Sequence, residues 1–174
     1  MVDEGFAAPG RLIVGADSHT CTYGGINAFS TGIGSTEAAA CFAEGRLWFK
    51  VPEAINVKLK GKFNKMVSGK DLIIKIITDI GVDGANYKAF EFSGPGVASI
   101  TVSDRLTVSN MAIEAGGKAG IFPCDQRTEE FLKGRVRGKY TPVSADAGAH
   151  YWKELDYDLG NIDYMSPVSK KRLT

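Results

Sequence analysis

Histidine is scarce in this 174-residue chain, and one of its two copies stands in "GADSHTCTYGG", where Asp17, Ser18, His19, Thr20, Cys21 and Thr22 follow one another directly. A carboxylate two positions from an imidazole can fix its tautomer and raise its basicity, as a proton-transfer group requires. Ser18 adds a hydroxyl that can donate a hydrogen bond or, with its proton removed, act as a base. The glycines at 24, 25, 32 and 34 allow tight turns and let backbone N–H groups approach an anion. Taken alone, the stretch also reads as a hydrogen-bonded polar turn. Further along, Asn110 and Glu114 stand four apart in "LTVSNMAIEAGG", so on a helix they share one face. An amide and a carboxylate there can bind a polar substrate or pair with a distant cation. They also suit the wet side of an amphipathic helix.

The elements that must carry these groups can be read from apolar spacing. Residues 11–14 have the character of a short buried strand, which puts the His19 loop at a strand's carboxyl end, where open α/β sheets place ligands. A glycine-rich stretch follows, then a helix over 38–49 with Ser35 as N-cap, Glu37 in its first turn and Pro52 beyond its end. Residues 54–63 alternate as a half-buried strand does. Ser68 caps an amphipathic helix carrying Leu72, Ile73, Ile76, Ile77 and Ile80, which Gly81 ends. Residues 87–94 form a second alternating strand, and 95–115 are mainly helical up to the Gly116-Gly117 pair. "GIFP" is a short buried strand, and Asp125 caps a short helix after it. From Arg135 onward the pattern is charged and irregular, ending in a polar tail over 167–174. Strands alternating with helices make this an α/β chain.

Composition narrows the function further. A net charge of +1 gives no electrostatic reason to expect nucleic acid or an anionic membrane as partner. There is no apolar run of about 18 residues, and "MVDEGFAAPG" lacks the regions of a signal peptide, so a cytoplasmic protein is expected. Cys21, Cys41 and Cys124 are odd in number and widely spaced, which predicts neither a disulfide framework nor a self-contained metal site. Each is read as a small buried or half-buried thiol, with Cys21 near enough to His19 to be reactive. Trp48 and Phe49 are expected to pack, His150 to lie on the surface, and Lys133, Arg135, Arg137 and Lys139 to form a solvated face.

The combination of "GADSHTCTYGGINAFSTGIGSTEAA" with "LTVSNMAIEAGGKAGIFP", joined by "GRLWFKVPEAINVKLKGKF", resembles the aconitase superfamily over residues 10–134. Within it, the chain is most similar to the branch of 3-isopropylmalate dehydratase large subunits and homoaconitases. The resemblance implies aconitase-type α/β/α lobes: a partial one over 1–51 with the active-site loop, a nearly complete one over 52–140, and an irregular segment over 141–174. It implies hydro-lyase chemistry on a branched or extended malate-type hydroxy acid, by dehydration and rehydration. Asp17, Ser18, His19 and Glu114 would be catalytic, with Glu114 facing His19. Asn110, Ser18 and Thr20 would meet the substrate, and Thr20 and Thr22 would support the loop.

The family also implies a 4Fe-4S cluster, bound by three cysteines C-terminal to the matched stretch. The spacing of Cys21, Cys41 and Cys124 does not reproduce that set, so no cluster is expected on this chain alone. The implied partners are a cluster-bearing domain and the small subunit of the dehydratase, which brings a serine and arginines. The sequence therefore reads as an interior piece of a large subunit, inactive by itself and prone to form a homo-oligomer through uncovered apolar faces. The competing reading is a non-catalytic α/β module.

Overall fold

The computed structural model describes residues 1–165, so the polar tail expected over 167–174 lies outside the described residues. Two parallel sheets organise the chain. Strand β1 (Leu12–Gly15) pairs with β2 (Phe29–Gly32). Strands β3 (Glu53–Lys60), β4 (Lys88–Ser93), β5 (Ala119–Ile121) and β6 (Lys153–Asp158) form a second sheet in the order β5-β4-β3-β6. The helices between them are α1 (Ser35–Glu44), α2 (Gly69–Ile80), α3 (Val102–Asn110) and α4 (Gln126–Leu132). This is the α/β architecture the alternating pattern predicts.

In the larger sheet the pleat sorts the side chains. Ile55, Val57 and Leu59 of β3 and Phe90 and Phe92 of β4 lie in one register and form the core with Leu72, Ile73 and Ile76 of α2 and Val108 of α3. Phe92 also stacks on Phe122, with ring centroids 4.2 Å apart. The opposite face is polar: Ser93 donates to Asn56 (2.7 Å), and Lys58 pairs with Glu154 (2.9 Å). A smaller core joins Ala7, Ile26, Val102 and Leu132.

Several expectations need correction. β2 escaped the sequence reading because "FSTG" shows neither alternation nor an apolar run, although Ser30 and Thr31 are buried. The segment expected to be irregular from 141 onward contributes β6, paired in parallel with β3. Its charges point outward, while Leu155 and Tyr157 pack on the core. The first helix is shorter than expected, because Gly45 takes a left-handed conformation (φ 66°) and closes α1 at Glu44. Its N-cap is Gly34, whose N–H donates to Glu37 (2.8 Å), and Ser35 is the first helical residue. Trp48 does not pack but is 84% exposed, whereas Phe49 meets Phe29 edge to face at 5.8 Å.

Candidate active site

His19 lies in a 3₁₀ segment, Ser18–Ile26, that starts directly beyond β1. Nine residues is long for 3₁₀ geometry, which is tolerated only with outside support. Asp17 supplies the N-cap, its Oδ1 accepting the His19 N–H at 2.7 Å. Thr20 donates to the Asp17 carbonyl (2.7 Å) and Thr22 to the His19 carbonyl (2.6 Å). Packing does the rest. A Cβ on Gly24 would stand 2.0 Å from the Gly120 carbonyl of β5, and one on Gly25 would stand 2.6 Å from the Leu106 nitrogen of α3. These two glycines therefore seat the segment against α3 and β5, rather than opening N–H groups to an anion as the sequence suggested.

On the other side, α3 is fixed by Arg105, whose side chain is fully buried. Its guanidinium forks onto both Asp125 oxygens (2.8 and 2.6 Å) and also donates to Thr128, Val97 and Ile100. Burial would raise the Asp125 carboxyl, but the Arg105 guanidinium and the Thr128 N–H together hold it below its ordinary value. Asp104 accepts the Gly69 N–H (2.8 Å), tying α3 to the start of α2. Sequence reading missed Arg105; its one available signal was a cation within the apolar run Val102, Leu106 and Val108.

After Asn110 the chain tightens into a 3₁₀ turn, Met111–Ala115, closed by Gly116 in a left-handed conformation. Asn110 and Glu114 thus do not share one α-helical face as expected, and they reach different residues of the facing segment. His19 Nε2 lies 3.4 Å from Glu114 Oε1. On the other side of the ring, Nδ1 lies 3.2 Å from Ser18 Oγ and 3.8 Å from Asp17 Oδ1. With Nε2–H directed at the carboxylate, neutral Nδ1 accepts from the Ser18 hydroxyl, and protonated Nδ1 donates to it. Asn110 Nδ2 donates to Thr22 Oγ1 (2.8 Å), and the Cys21 thiol donates to the Asn110 carbonyl (3.3 Å). All the sequence-derived site residues except Thr20 converge on this junction; Thr20 braces Asp17 from behind.

A cavity of about 430 Å³ opens beside Ser18, lined also by Ile33, Glu37, Phe49, Ile113 and Lys118. Its wall mixes apolar side chains with one cation, Lys118, and one carboxylate, Glu37. A larger cavity, about 650 Å³, lies between Arg11, Glu91 and Tyr151 and includes none of these site residues.

A profile of the aconitase family (aconitate hydratase) matches residues 1–170. The chain belongs to the aconitase family. It is 54% identical over 162 residues to the 2,3-dimethylmalate dehydratase large subunit of Eubacterium barkeri, covering 93% of this chain and 39% of that protein. It is 53% identical to the 3-isopropylmalate dehydratase large subunit of Syntrophus aciditrophicus, with 94% and 39% covered. It is 50% identical to the probable methanogen homoaconitase large subunit of Methanosarcina mazei, with 94% and 42% covered. The chain therefore spans about two fifths of the length of these relatives.

The 4Fe-4S cluster that the aconitase family implies requires thiolates held together. The three thiols here do not fit one. Burial pushes the Cys21 thiol up to about 11 and also raises that of Cys124, which disfavours thiolate at both. Cys41 sits apart on α1. Among the described residues, no three His, Cys, Asp or Glu side chains stand together as a metal-binding group. The reactivity expected of Cys21 is likewise corrected, since it is 1% exposed.

Proposed function

We propose that this chain is part of a hydro-lyase large subunit that interconverts malate-type hydroxy acids by removing and re-adding water, with 2- and 3-isopropylmalate of leucine biosynthesis as the leading substrates. The observation that carries this reading is the His19–Glu114 contact at 3.4 Å, made across two elements far apart in sequence. Membership of the aconitase family and the names of the relatives support the reaction class. Three large subunits named for different acids resemble the chain almost equally, so the alkyl group of the substrate is the finer part of the proposal.

In this reading the residues divide the work as follows. Glu114 accepts the Nε2–H of His19 and fixes the tautomer, leaving Nδ1 to hold the mobile proton. Ser18 Oγ, beside Nδ1, carries that proton to the hydroxyl that leaves as water and takes it back on rehydration. The proton lost from the adjacent carbon goes to a base outside this chain, for which the small subunit's serine is proposed. Asp17 holds the loop through the His19 N–H. Asn110 and Ser18 meet the polar oxygens of the substrate, and Thr20, turned to the Asp17 carbonyl, steadies the loop instead of meeting substrate as expected. The small subunit and a cluster-bearing domain are the proposed partners, and the family's 4Fe-4S cluster would be held by residues other than the three cysteines of this chain. Residues 1–51 are proposed as part of one lobe and 52–140 as the body of a second.

The experiment is a labelling assay on the large subunit containing this sequence, assembled with its small subunit. Offered 3-isopropylmalate in water enriched in heavy oxygen, the enzyme should return isomerised product with the label in its hydroxyl. The same run with 2,3-dimethylmalate ranks the two acids. Absence of label from the products of both would overturn the reading.

A further inference from the structure

Asn110 is gripped by two successive residues of the His19 segment, one on its main chain and one on its side chain. Its backbone carbonyl, at the last residue of α3, accepts from the buried Cys21 thiol at 3.3 Å. A carbonyl at a helix end needs such an outside donor. Its side-chain Nδ2 donates to Thr22 Oγ1 at 2.8 Å, and the Thr22 hydroxyl in turn donates to the His19 carbonyl at 2.6 Å.

The direction of this chain is fixed by elementary valence. A carbonyl only accepts, so the single proton of the Thr22 hydroxyl is committed to His19. Toward Asn110, then, Thr22 Oγ1 can only accept. The amide must turn its NH₂ to Thr22, because the reverse orientation would set two acceptors 2.8 Å apart. Asn110 Oδ1 accepts no hydrogen bond among the described residues, so it is left for an external donor such as the hydroxyl of a hydroxy acid. The same oxygen of Thr22 also ties this amide to the backbone of His19, so the two groups move as one.

We propose that Thr22 is a positioning residue: it fixes which way the Asn110 amide faces and couples it to His19, without touching substrate. This rests on the reading above that Asn110 meets the substrate. A methyl in place of the hydroxyl, as in Thr22→Val, keeps the shape of the side chain but lets the amide turn either way.

Two measurements test this. In the 174-residue chain, the Asn110 side-chain amide is identified in the NMR spectrum by its loss in Asn110→Ala. Its protons should exchange with solvent roughly fivefold to tenfold faster in Thr22→Val than in the parent, and at the parental rate in Thr22→Ser. In the assembled enzyme, Thr22→Val should lower kcat roughly tenfold to hundredfold while leaving KM within about threefold. Thr22→Ser should restore most of the rate, and Thr22→Val placed on Asn110→Ala should cost nothing further. Thr22→Ala serves in both assays if the valine variant does not fold. Unchanged amide exchange in the variants without the hydroxyl would overturn the proposal, as would an equal loss of rate in the Asn110→Ala background. Because amide exchange is read without turnover, its outcome stands even if the hydro-lyase reading fails.

Discussion

Cys21 shows how position in sequence can mislead about chemistry. It follows Thr20 and precedes Thr22, two residues from His19, yet only 1% of it is exposed and its thiol is spent on the Asn110 carbonyl. Desolvation pushes its thiol up to about 11, so little thiolate exists near neutral pH. Iodoacetamide at neutral pH should therefore label half-exposed Cys41 first, with Cys21 slower by roughly tenfold or more, as mass spectrometry of the tryptic peptides would show. Comparable rates at the two thiols would mean that the segment opens readily. The neighbouring hydroxyls carry the structural work instead: Thr20 and Thr22 each close a bond back to the backbone three residues earlier. Types and spacing offered Asp17, Ser18 and His19 only as a candidate loop. Glu114 joined them through the family resemblance, because a carboxylate so far along the chain carries no local sign of the imidazole it will face. The link from Thr22 to Asn110 was not legible, since a threonine looks the same whether it faces water or an amide.

At the scale of elements, the site depends on how the Ser18–Ile26 segment meets α3, and Arg105 holds the α3 side of that contact. Truncating one partner of such a pair leaves the other uncompensated. Arg105→Ala should cost roughly 3 kcal/mol, somewhat less than for a fully buried pair because Asp125 is partly exposed. Urea unfolding of the 174-residue chain measures this, and an unchanged midpoint would show that the fork does not hold α3. The same pair sets an acid limit. The Asp125 carboxyl is held below its ordinary 3.8 in the folded chain, so its stabilisation is complete above that value and is lost as pH falls through the lower folded value. Asp71 behaves alike: burial raises it, but the Met165 and Ser68 N–H groups and the Ser68 hydroxyl bring it below 3.8. Asp125→Asn should accordingly flatten the loss of stability below that pH. Sequence revealed α2 and α4 closely, because Ser68, Gly81 and Asp125 are strong local signals. It missed β2 and β6, whose order comes from partners: β2 from β1 and the 3₁₀ segment, β6 from β3.

Across the whole molecule, the candidate site lies at one junction, where the Ser18–Ile26 segment that follows β1 packs on α3 and the turn after it. The sheet interior is well covered, but α1 buries none of its residues, and Phe42 (92% exposed) and Val51 (85%) lie on α1 and just past it. Among the described residues no helix is long and apolar enough to cross a membrane. In the proposed hydro-lyase reading, the carboxylate of one element faces the imidazole of another because the group that gives up a proton in dehydration must regain it on rehydration. The central claim is that His19 is that proton carrier. Its most direct test is the kcat of the assembled enzyme on 3-isopropylmalate with His19→Ala beside the parent. The account predicts a loss of about a hundredfold to ten-thousandfold with the fold intact; a variant as active as the parent would contradict it.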